Sequence, residues 1–198
     1  MKLREIAEIR TGMVVTRLCK DGQNVECRDL FRLINLKSIS GDGVIINENI
    51  ESVELPIFRK QEYLANEGDI IVRLSAPYSA AMIGEDEVGC LISSHFAIIR
   101  PDASKIFPPY LLWYLNSDHV KKTILQNTSN STAFGTISSG FFADLQLKEI
   151  SMNKQQLIGN YALLYAKEKV LTEELLKQKV LLNQYITKRF YEKITRGE

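Results

Sequence analysis

Apolar and polar positions follow two different rhythms along this chain. From residue 1 to 152, short β-branched or alternating runs are broken by Gly, Pro, Asn and Ser. From Asn153 onward there is no Pro, and the only glycines are Gly159 and Gly197. In this second stretch apolar residues recur at Leu157, Tyr161, Leu164, Leu171, Leu175, Leu182 and Tyr185, with Glu168 and Gln178 at the two skipped places. That is a heptad frame, and it predicts a long helix whose stripe faces another helix. The stripe continues as Ile186, Phe190 and Ile194. Asn153 is the expected N-cap, because its side-chain oxygen can accept from the first free N–H groups. A helix over about 154–195 would be roughly 60 Å long at 1.5 Å per residue, more than a small domain can cover. Folding back onto its own domain would need a hinge, and residues 160–196 contain neither Gly nor Pro. The expected domains are therefore 1–152 and 153–198.

The first stretch reads as α+β. The segment LREIAEI at 3–9 suits a short amphipathic helix stopped near Gly12. Strands are expected at 31–36, 43–46, 69–74, 80–83, 96–100 and 144–150, from β-branched content or alternation. Pro108-Pro109 suits the first turn of a helix reaching Leu115, and a second helix follows Ser117 or Asp118. Residues 127–140, NTSNSTAFGTISSG, read as a long polar loop, and loops of that length in a compact domain usually carry function.

Composition narrows the function. At 198 residues and 45% hydrophobic, a packed core is expected and disorder is not. No apolar run approaches the roughly 20 residues of a membrane span, and the N-terminus has no signal-peptide pattern, so a cytoplasmic protein with no membrane partner is expected. Cys19, Cys27 and Cys90 lack metal-ligand spacing and read as reduced thiols; neither a metal site nor a cofactor is expected. A net charge of +1 does not announce nucleic acid. It leaves DNA binding through local basic loops and partners, or no DNA binding at all.

The order of the segments resembles the target-recognition domain of type I restriction–modification specificity subunits. The resemblance runs through LREIAEIRTG at 3–12, FRLINLKSISGDGVI at 31–45, NEGDIIVRL at 66–74 and LISSHFAIIRPD at 91–102. It continues through PPYLLWYLNS at 108–117, FGTISSGFFADLQLKEISM at 134–152 and KQQLIGNYALLYAKEKVL at 154–171. Each piece is degenerate; their order and spacing carry the likeness. The resemblance implies a mixed-sheet recognition domain with peripheral helices, followed by a long coiled-coil helix. Family members usually hold two such domains in one chain, kept apart by antiparallel helices, each domain reading half of a split DNA sequence. A chain with one domain and one helix is then a non-catalytic half-subunit. Its implied partners are double-stranded DNA, a second copy paired antiparallel, and methyltransferase subunits, with endonuclease subunits as a further candidate. The prolines common before the long helix in the family are missing from SMNKQQ at 151–156, although Gln156 is kept.

Reading a sequence requires donors and acceptors at base edges, with cations and amides on phosphates. The candidates are Arg17 and Lys20 beside Gly22, Gln23 and Asn24, and Lys37 after the 31–36 strand. Arg73, Ser75 and Tyr78 follow another strand, and Ser93 and His95 precede one. Ser129, Asn130, Ser131, Thr132 and Thr136 lie in the polar loop. Against these stand ordinary alternatives: surface charge for Arg17 and Lys20, a packed loop aromatic for Tyr78, and a structural hydrogen-bonded histidine for His95. Trp113 and Tyr114 read as core. The candidate pairing surface is Leu157, Tyr161, Leu164, Glu168, Leu171, Leu175, Gln178, Leu182 and Tyr185.

Two other functions compete. One is a coiled-coil assembly module that binds no DNA. The other is a small hydrolase using Cys90 with His95, for which closeness in sequence is no evidence of geometry. No glycine-rich phosphate loop is present, and Pro108-Pro109-Tyr110 follows Phe107, where a methyltransferase motif would have Asn or Asp.

Overall fold

The computed structural model describes residues 1–15, 28–56, 61–128 and 135–196. It divides the chain into two compact units, Met1–Gly159 and Asn160–Glu198. Arg17, Lys20, Cys19, Cys27, Ser129, Asn130, Ser131 and Thr132 lie outside the described residues.

The first unit is α+β. Its strands are β1 (Ala7–Thr11), β2 (Arg28–Ile34), β3 (Glu51–Pro56), β4 (Ile70–Arg73), β5 (Ala80–Met82), β6 (Leu91–Ile92) and β7 (Phe96–Pro101). One sheet runs in the order β1-β7-β4-β5 with every pairing antiparallel. The other runs β3-β2-β6, and its β2–β6 pairing is parallel. Helices α1 (Pro108–Leu115), α2 (Asp118–Thr128), α3 (Ser139–Ala143) and α4 (Met152–Arg196) follow the strands.

The four-stranded sheet is buried on both faces, which explains why its central strands read as unbroken apolar runs. Side chains alternate across a strand. Ile70, Val72, Ala97 and Ile99 enter a core shared with Tyr110, Leu111, Leu115, Val120, Ile124 and Phe142 of the helices. Ile71, Phe96 and Ile98 enter the opposite core, with Ile34, Ile39 and Ile92. Two polar devices hold this frame. Buried Asp69 takes Arg100 on both carboxylate oxygens, at 2.8 Å from Nε and 2.7 Å from Nη2, and also accepts from Asn66 N–H at 3.0 Å. On the outer edge of β5, the Asn116 amide accepts from Ala80 N–H and donates to Ala80 C=O, both at 2.9 Å, so that it substitutes for a missing strand.

Several local expectations are corrected. Only Leu3–Glu5 is helical, as a 3-10 turn; Leu3 and Ile6 point into the core, and the chain then straightens into β1 because β7 offers it a ladder. Segment 144–150 is extended but meets the N-terminus in a single bridge, Lys2 with Gln146, so it forms no strand. Segment 43–46 likewise makes one bridge, Ile45 with Ile39. The β3 strand was not expected. Of the segment expected as a polar loop, 127–128 belong to α2 and 139–140 to α3. Trp113 is 42% exposed and is not core; Tyr114 is half-buried, its hydroxyl donating to Gln146 C=O at 2.7 Å.

Helix α4 spans 45 residues and begins at Met152, so Asn153 lies inside it and is no N-cap. Its opening turns belong to the first unit. Gln155, 3% exposed, accepts from Phe107 N–H at 2.9 Å and donates to Ile150 C=O at 3.1 Å. Gly159 explains the one glycine in the helix interior: a Cβ there would sit 2.7 Å from Tyr110 N and 2.9 Å from the Phe107 ring. Among the described residues no helix is long and apolar enough to cross a membrane.

Candidate nucleic-acid interface

Antiparallel order places the last residues of β1 and β4 and the first residues of β7 and β5 at one end of the four-stranded sheet. The turns after and before these strands are cross-linked there. Gly12 N–H donates to Phe96 C=O at 2.9 Å, and Ser94 N–H donates to Met13 C=O at 2.8 Å. Leu74 N–H donates to His95 C=O at 2.9 Å, and Ile137 N–H donates to Leu74 C=O at 2.8 Å. Five separate stretches of sequence therefore meet: 11–13, 39–44, 73–79, 93–95 and 135–139.

Of the residues expected to touch DNA, the structure brings Arg73, Ser75, Tyr78, Ser93, His95 and Thr136 to this end. They are not equivalent. His95 and Thr136 are exposed, and Ser75 and Arg73 are half-buried. Tyr78 is buried, its hydroxyl donating to Gly135 C=O, and its backbone is left-handed with φ of 56°. Such a backbone is uncommon for a residue with a Cβ, and the hydrogen bond and packing of the ring hold it there. Ser93 is buried, with its hydroxyl 3.3 Å from His95 Nδ1. Tyr78 and Ser93 thus build the platform on which exposed groups sit. Lys37 is exposed, with its ammonium 3.6 Å from the Glu51 carboxylate.

Other members of this end had weaker signals. Thr11 and Ser139 hydroxyls meet at 2.8 Å, joining β1 to α3 across 128 residues of sequence. The Ser40–Val44 turn rests on β5: Gly43 has φ of +82°, and a Cβ on it would lie 2.2 Å from Ala80 C=O. Ser79 Oγ donates to Ser40 C=O at 3.4 Å. The SGDG sequence announced a turn, but only the fold shows what it packs against.

Of the two groups named for catalysis, Cys90 is buried and His95 is exposed. Cys90 is 1% exposed, and burial pushes its thiol pKa up; Arg32 opposes this more weakly and Glu87 reinforces it. The thiolate is the nucleophile, so a buried, protonated thiol is unsuited to the hydrolase role.

The second candidate surface is on α4. Leu157, Tyr161, Leu164, Leu171, Leu175, Leu182 and Tyr185 are all 55–73% exposed, and Glu168 and Gln178 are exposed among them. Gln178 Nε2 donates to Glu174 Oε1 at 2.8 Å within the helix.

The architecture has known counterparts. A chain from a type I restriction–modification system, studied for its complex assembly and conformational transition, superposes with a TM-score of 0.62 at 16% identity, over 90% of this chain and 45% of its own length. The HsdS subunit from Thermoanaerobacter tengcongensis matches with a TM-score of 0.60 at 18% identity, over 91% and 43%. The type I restriction–modification S subunit from M. genitalium matches with a TM-score of 0.56 at 13% identity, over 91% and 42%. This chain has the fold of type I specificity subunits. It spans less than half the length of the solved structures it matches. No protein-family model matches the sequence, and no curated protein does.

Proposed function

We propose that this chain is a DNA-specificity half-subunit of a type I restriction–modification system. The first unit reads one half of a split site through the end of its four-stranded sheet. The long helix pairs antiparallel with that of a second copy, and the assembly recruits methyltransferase and endonuclease subunits without catalysing a reaction itself. The observation that carries this reading is the likeness of the fold to specificity subunits over nine-tenths of the chain. A 45-residue helix with a long exposed apolar stripe, interrupted at Glu168 and Gln178, is the expected complement, since such a stripe is stable in water only when covered.

The near-neutral charge of +1 accounts for how binding would be divided. With few phosphates neutralised by the chain itself, affinity depends on the partners that close around the duplex. The test is selection from random duplexes by the chain together with its methyltransferase subunits. Two identical, inverted half-sites with a fixed spacer are expected, because a two-fold dimer imposes its symmetry on its site. No enrichment under any partner combination would overturn the proposal in favour of an assembly module.

A further inference from the structure

Arg73 is the last residue of β4, and by alternation its side chain lies on the same face as Ile71, toward Ile39 and Phe96. A guanidinium carries five N–H donors and is always charged. Here Nη1 makes one long bond, 3.4 Å to Ile39 C=O. Nε is buried with no hydrogen-bond partner. Among the described residues no carboxylate pairs with it, whereas Arg100, on the same sheet, is fully engaged by Asp69. The contrast is informative. Native proteins almost always satisfy buried donors, and leaving one unmade costs stability even where the rest of the side chain is half-buried. The inward position of Arg73 is therefore weakly held, and turning outward relieves the stranded Nε. The way out leads to the sheet end where Ser75, His95 and Thr136 are already partly or fully exposed.

We infer that Arg73 is the residue that turns out from this sheet end to donate to an acceptor pair on the duplex, while Tyr78 and Ser93 position the loops around it and touch no DNA. The inference rests on the DNA-recognition reading above. The acceptors are either the edge of a purine or the oxygens of a phosphate, both matched by a guanidinium fork.

The experiment uses the full chain with its methyltransferase subunits and the duplex that the wild-type assembly enriches. Arg73→Lys keeps the charge and loses the fork; Arg73→Met keeps the stem and loses both. Each is expected to bind about tenfold more weakly or worse. Lost preference at one base pair identifies a base contact. Uniform weakening, with the salt slope reduced by about one in Arg73→Met, which alone loses the charge, identifies a phosphate contact. Either result supports the inference. Binding within twofold of wild type with an unchanged salt slope overturns it. A readout that needs no variant guards against misfolding: in the wild-type assembly, modification of Arg73 by phenylglyoxal, followed by mass spectrometry, is expected to be suppressed when the duplex is added. Equal modification with and without duplex also overturns the inference. Failure of the wild-type assembly to enrich any duplex defeats the DNA reading itself, and the Arg73 assignment with it.

Discussion

The two units of the chain treat their apolar residues in opposite ways. Within Met1–Gly159, apolar side chains from the strands and from α1–α3 are buried in, or packed against, shared cores, and among the described residues Leu30, Val44, Val88, Trp113, Leu125 and Leu157 stand out as large exposed exceptions. Within Asn160–Glu198, Leu, Val, Ile, Phe and Tyr residues from Tyr161 to Ile194 are exposed along a single helix. The first unit contains its own reasons for folding. The second has a pattern without a core, and an isolated helix in water gains little from its own hydrogen bonds. The difference teaches where a partner is needed, and it can be attacked from either side.

The largest effect is expected at the stripe. Leu171→Asp combined with Leu175→Asp puts charge at its centre, and two to four buried leucines lost across a pair of helices are worth several kcal/mol at about 1.5–3 kcal/mol each. Sedimentation equilibrium is expected to show self-association weakened by at least about 100-fold, while thermal melting of the first unit stays unchanged. A first unit that unfolds in this variant would erase the distinction between the two regions.

Asp69→Ala attacks the other side. It leaves Arg100, packed between Leu64 C=O and the sheet, without its anion. Removing one partner of such a pair costs about 3 kcal/mol, discounted from the fully buried case because Arg100 is partly exposed. Chemical denaturation should register this loss in the first unit, with helix pairing intact.

Gly159→Ala sharpens the boundary between them. Alanine favours a helix by about 1 kcal/mol, but its methyl meets Tyr110 backbone N at 2.7 Å. A net destabilisation of about 1 kcal/mol is expected. Asn160→Ala, one residue on and exposed, should be neutral or slightly stabilising in the same melt.

The smallest effect concerns acid. The hydrogen bond from Lys2, with the charges of Arg4 and Lys2, holds the Asp144 carboxyl below its ordinary pKa of 3.8. A carboxylate depressed in the folded state contributes stability above its unfolded pKa, and that contribution disappears as pH falls through the folded value. The wild type should therefore lose slightly more stability than Asp144→Asn as pH drops below about 4, in parallel melts at low salt. Equal slopes would remove any role for this surface cluster.

Much of this comparison was legible in the residues. Heptad spacing from Leu157 to Tyr185 and the absence of Pro foretold α4, because helix periodicity is local. The runs at 69–74 and 96–100 foretold β4 and β7 because both faces of that sheet are buried. What stayed hidden depended on distant partners. The β1 segment carries helix-compatible spacing and becomes a strand only because β7 pairs with it. Segment 144–150 alternates like a strand, yet its hydrogen bonds go to Met1 and Leu3, too few for a ladder. At the candidate interface, the sequence named Arg73, Tyr78 and Ser93 alike as polar loop residues. Burial separates them, and burial is set by Ile39, Gly135 and Ile34, which no local pattern links to those positions.

A half-subunit requires the antiparallel pairing of two copies. The stripe from Leu157 to Tyr185 is centred on Leu171, so two antiparallel helices should cross their symmetry axis there. Spin labels at Thr172→Cys and, separately, Thr187→Cys, with Cys19→Ser, Cys27→Ser and Cys90→Ala, report the distance between copies. Antiparallel pairing predicts labels at 172 separated by little more than the roughly 8–10 Å between packed helices plus the label arms. Labels at 187 should be about 50 Å apart, from 1.5 Å of rise per residue on each side of the axis. Short distances at both positions would mean a parallel pair, and no distance at either would mean no pair; each would contradict the half-subunit model.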